Sequence, residues 1–124
     1  MNESPKPRAR DETESELGSF EICLSVNDLG RSLQFYEALG FRRAGGNVKR
    51  GWMMLEYRGV RLGLFQGILG GSLINFRGGD VLSIAEYLQD VGISLGEGAV
   101  VGSDGAVRVS IRDPDGNQIT FVGE

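Results

Sequence analysis

At 124 residues the chain suffices for one domain, or for two small modules sharing a core. Hydrophobic residues at 40% and charged residues at 24% describe an ordinary globular protein, and a net charge of −4 argues against nucleic acid as a partner. No apolar run approaches a membrane span, and the single cysteine, Cys23, cannot build a disulfide framework, which fits a cytoplasmic location.

Residues 1–18 are rich in charge and proline and nearly empty of apolar side chains, which predicts a disordered N-terminal tail. From Phe20 to Val26 the pattern alternates, with Ile22, Leu24 and Val26 on one face, which predicts a half-buried strand. Asp28 is a helix cap, Leu29, Leu33, Tyr36 and Leu39 recur at helical spacing, and Gly40 stops the run. Short strands follow over 41–46, 52–57 and 60–66, the last two joined by a tight turn at Arg58-Gly59.

The same order then repeats. Residues 73–77 form a strand and Asp80 a cap. Val81, Ile84, Ala85, Leu88 and Val91 form a helical stripe that Gly92 ends. A short strand is expected over 93–95, a Gly-rich loop over 96–105, and a hairpin of 106–112 with 117–122. Its turn is Asp113-Pro114-Asp115-Gly116-Asn117, with Asp115-Gly116 expected to supply the positive φ values. Laid over each other at an offset of about 52 residues, Asp28 falls on Asp80 and Gly40 on Gly92. The chain is therefore read as an α+β fold of two tandem βαβββ modules, about 19–67 and 71–123. Each sheet carries its helix on one face, so the other face meets its counterpart, a partner chain or a ligand.

This duplicated unit resembles the vicinal oxygen chelate superfamily, which includes glyoxalases, bleomycin resistance proteins and extradiol dioxygenases. The resemblance is carried by Leu24-Ser25-Val26-Asn27-Asp28-Leu29, by Ser32 through Phe41, and by the closing Asp-Pro-Asp-Gly-Asn turn. It implies an open cleft formed by the sheets, with helices on the outer face. Catalytic members hold a divalent metal there through histidines and carboxylates. The resemblance places those ligand positions at Glu21, Gly63, Leu73 and Thr120. One carboxylate and one hydroxyl are a poor substitute, and the chain contains no histidine, the commonest metal ligand and neutral-pH base. No metal site and no cofactor are therefore expected.

Glu21 has the cleft-facing parity. It is a candidate base or a partner for a charged ligand, or else a rim glutamate paired with an arginine. Asn75, Arg77, Arg108, Arg112, Gln118 and Thr120 share that parity in the second copy, where they either line a ligand or form a solvated face with salt bridges to Glu97 or Asp104. Trp52, Met54 and Phe65 suit a small-molecule pocket, and equally a core or a dimer interface. Cys23, with no histidine to activate it, reads as a small buried hydrophobe.

The expected function is a metal-free small-molecule-binding protein of the glyoxalase/bleomycin resistance type, forming a homodimer. The alternative is an isomerase, lyase or dioxygenase-type enzyme that uses Glu21.

Overall fold

The computed structural model describes residues 17–123, so the tail expected over 1–18 lies outside the described residues up to position 16. Two compact units emerge, one of residues Glu21–Ile74, the other of Asn75 onward with the stretch ending at Phe20.

In the first unit the elements are β1 (Gly18–Val26), α1 (Leu29–Leu39), β2 (Arg42–Asn47), β3 (Trp52–Tyr57) and β4 (Val60–Gln66). The strand order is β2-β3-β4-β1, with β1 parallel to β4 and the other pairs antiparallel. The Asp28 carboxylate accepts the Arg31 N–H at 3.1 Å and so caps α1. Gly40 closes the helix at φ 113, where an L side chain would be strained. Leu29 and Leu33 then bury against Met53, Leu55, Leu62 and Leu64. Leu39, expected in the same stripe, is 58% exposed on the last turn, so the buried stripe ends at Tyr36.

The second unit holds β5 (Leu73–Gly78), α2 (Val81–Asp90), β6 (Val100–Val101), β7 (Val107–Arg112) and β8 (Gln118–Val122), in the strand order β5-β8-β7-β6. Asp80 caps α2 through the Ser83 N–H and hydroxyl, and these bonds lower its pKa. Phe41 N–H donates to Tyr36 O at 3.1 Å, and Ile93 N–H donates to Leu88 O at 2.9 Å. The same helix-closing bond thus recurs in both copies. Val81, Ile84, Ala85 and Leu88 pack on Val109 and Phe121.

Three expectations need correction. Residues 93–95 are not a strand: Gly92 and Gly96 take positive φ on either side, and Leu95 is buried in the core. The short strand of this copy lies instead at Val100–Val101, inside the stretch expected to be loop. In the hairpin turn only Gly116 has positive φ; Asp115 does not. The Asp113 carboxylate organises that turn, accepting from the N–H groups of Asp115 and Asn117 at 2.9 and 2.8 Å. The strand itself begins at Gly18, and Leu17 packs against the second unit's core.

Candidate functional site

Strand alternation gives the first unit a helix-free face. It carries Glu21, Cys23 and Ser25 from β1, Arg61, Gly63 and Phe65 from β4, and Trp52, Met54 and Glu56 from β3. The pairing register sets these into three rows across the strands. Glu21, Arg61, Glu56 and Arg42 form a row of alternating charge. Cys23, Gly63, Met54 and Gly45 form the next, and Ser25, Phe65, Trp52 and Asn47 the third.

In the charged row Glu21 is only 1% exposed, and an Arg61 nitrogen stands 3.5 Å from its carboxylate. Arg61 itself is 35% exposed. A guanidinium beside a buried carboxylate offsets part of the cost of burying its charge. The third row brings together two of the aromatic residues named from sequence. Trp52 and Phe65 stack with centroids 6.0 Å apart and planes at 6°.

Between these rows, Gly63 matters because of what it lacks. A Cβ there would lie 2.6 Å from Phe65 Cε1 and 2.8 Å from Met54 Sδ. The Met54 and Phe65 side chains occupy the space that a side chain at 63 would need.

The second unit's helix-free face is polar. Asn75 and Thr120 are buried, the Thr120 hydroxyl shares a hydrogen bond with that of Ser110 at 3.0 Å, and Gln118 Nε2 donates to Thr120 at 3.4 Å. Arg77 is exposed on the same strand as Asn75. Arg108 is committed elsewhere: its fork closes on Asp104 at 2.8 and 3.0 Å. That bond, with the Ala106 N–H, holds the Asp104 carboxyl far below its ordinary range, and Asp104 in turn raises the pKa of Arg108. Arg112 donates to the Gly116 carbonyl at 2.8 Å, bracing the turn. These two arginines therefore have local structural partners.

The donor set does not fit a divalent metal. Position 63 has no side chain and position 73 is leucine. The Glu21 carboxylate faces Arg61, and the Thr120 hydroxyl is engaged with Ser110. Among the described residues no three His, Cys, Asp or Glu side chains converge. No helix among them is long and apolar enough to cross a membrane. A shallow, open depression of about 540 Å³ is lined by Gln89, Gly92, Ile93, Leu95 and Glu97, none of them a candidate ligand-binding residue from sequence.

Sequence reasoning missed Arg61 and Glu56. Their parity with Gly63 and Met54 was readable, but the partner of Arg61 follows from the parallel β1–β4 register, which a crossover connection leaves unspecified.

No protein-family model matches the chain, and no curated protein matches it. Solved structures do. A glyoxalase/bleomycin resistance protein/dioxygenase superfamily member from Vibrio splendidus 12B01 aligns with TM-score 0.65 at 17% identity, over 85% of this chain and 97% of that one. A structure from Legionella pneumophila described as an NAD-dependent benzaldehyde dehydrogenase aligns with TM-score 0.66 at 20% identity, over 84% and 97%. A hypothetical protein from Bacillus halodurans C-125 aligns with TM-score 0.63 at 16% identity, over 84% and 91%. Three such different names on one architecture carry the fold and not an activity. The duplicated βαβββ units, the paired helix caps and these alignments together show the α+β fold of the glyoxalase/bleomycin resistance protein/dioxygenase superfamily, the vicinal oxygen chelate fold.

Proposed function

We propose that the protein binds a small organic molecule on the helix-free face of its first unit, without a resident metal. The observation that carries this reading is the stacked, half-buried Trp52–Phe65 pair on the face opposite the unit's own helix. Flat aromatic surface beside a few placed polar groups suits ligand binding. Buried Met54 extends the apolar lining, and the Glu21–Arg61 pair supplies charge. On the second unit, Asn75, Arg77 and Thr120 add hydrogen-bonding groups to its own helix-free face.

Trp52 is the single tryptophan of the chain, so its fluorescence reports the site directly. A screen of small organic molecules by thermal shift, followed by Trp52 titration, tests the reading. Saturable changes in both support it; a broad screen that moves neither sinks it. Stoichiometric transition metal in the purified protein would overturn the metal-free part.

A second reading has one observation in its favour, the carboxylate of Glu21 at 1% exposure. A buried carboxylate is the group an isomerase or lyase of this fold would use as a base. Turnover that survives Glu21→Gln would remove that reading. We further propose a cytoplasmic homodimer, in line with the single buried cysteine and with exposed Phe35 and Leu82.

A further inference from the structure

Resting on that reading, we infer the chemical class of the ligand: an aromatic ring joined through a short chain to a carboxylate. The ring lies against Trp52 and Phe65, and the carboxylate is held by Arg61.

The three rows carry this inference. In the charged row the exposed member of the Glu21–Arg61 pair is the cation: Arg61 is 35% exposed and Glu21 1%. Their separation of 3.5 Å is long beside the roughly 2.7–2.9 Å of a charge-assisted hydrogen bond. The guanidinium is therefore not locked. Arg108 differs, because Asp104 closes its fork at 2.8 and 3.0 Å. A planar guanidinium has five donors and prefers to meet a carboxylate through two of them. On the other flank Glu56 stands at the same loose separation of 3.5 Å from Arg42. An arriving anion thus meets the exposed cation, while an arriving cation finds the buried carboxylate behind Arg61.

The aromatic row presents the ring surface, two near-parallel rings at 6°. Between the rows Cys23, Gly63 and Gly45 add little bulk of their own, and the Met54 and Phe65 side chains form the floor over Gly63. Arg61 and Phe65 are separated by four residues on one strand, about 13 Å along the chain. Turned from Glu21 along the strand toward the aromatic row, the long arginine side chain would shorten that span, so about two to four chain atoms between ring and carboxylate match it.

The test is titration of Trp52 fluorescence and calorimetry with 3-phenylpropionate and 4-phenylbutyrate. The comparisons are 3-phenylpropionamide, 3-phenylpropylamine and hexanoate. The acids should bind about tenfold or more tightly than the amide, the amine and the ring-free acid. Arg61→Gln should lower acid affinity about tenfold, to the level of the amide, and leave the amide unchanged. If the lost partner of Glu21 unfolds that variant, Glu21→Gln/Arg61→Gln removes both charges and carries the same comparison. An amide or amine that binds as tightly as the acid overturns the ligand class while leaving small-molecule binding intact. Failure of every phenyl probe overturns it too, and the broader reading falls only if the wide screen also finds no ligand.

Discussion

Arg61 and Glu21 meet side by side on the parallel strands β4 and β1, 3.5 Å apart, one on the open side and the other 1% exposed. The pair hides a negative charge under a half-exposed positive one. Removing the cover takes a charge partner away from a buried carboxylate.

Arg61→Met should therefore destabilise the fold by roughly 1–3 kcal/mol, the lower part of that range because water reaches Arg61. Adding Glu21→Gln to it should recover most of the loss, since no charge then remains buried. Urea unfolding of both single variants and the double variant gives the coupling. A double variant no more stable than Arg61→Met would show that burial of the Glu21 charge is not what Arg61 offsets.

Gly63→Ala should cost about 1–3 kcal/mol by overpacking, because the added Cβ meets Phe65 and Met54. Both contacts are side-chain ends, so the fold survives by moving them. The Trp52 emission should shift as its stacking partner Phe65 is displaced. An unchanged spectrum with unchanged stability would mean that Met54 and Phe65 do not fill that space in solution.

The Asp104–Arg108 bridge predicts a pH dependence. The folded carboxyl is held below its unfolded value of 3.8, so the unfolded chain binds more protons between the two values. Its contribution is then fully present above 3.8 and is lost as pH falls through the lower folded value. Asp80 and Asp113 shift in the same direction, through hydrogen bonds from Ser83 and Asn117. The stability gap between the protein and its Asp104→Asn variant should stay level at neutral pH and narrow below about pH 4. A gap that widens on acidification would contradict the bridge.

The homodimer is checked by sedimentation at micromolar concentration. The expected species is a dimer; a monomer of 13.4 kDa throughout a concentration series would remove that proposal.

The parts of the fold that local chemistry dictates were readable from the chain. Asp28 and Asp80 are capping residues, and Gly40 and Gly92 hold positive φ, so both helices were visible from their ends inward. Val100–Val101 was not, because a two-residue strand among glycines has no period to detect. The site divides likewise. Alternation placed Glu21, Trp52, Met54 and Phe65 on one face, but which of them become neighbours depends on register between strands far apart in sequence. Arg108 and Arg112 shared the right parity, yet their long side chains reach Asp104 and the Gly116 carbonyl. Parity fixes where a side chain starts, and a long one can end on a loop.

All six residues of β2 are exposed, and its pairing with β3 slips between Arg43 and Gly45. An outer strand with open backbone groups invites a stray strand from another molecule. The slip breaks the even spacing such a visitor would need, and Arg42 and Arg43 add like charge against a second β2. The irregularity therefore acts as a guard against fibrous self-association. Straightening the strand by deleting Ala44 would trade that guard for a smoother ladder and a more aggregation-prone protein.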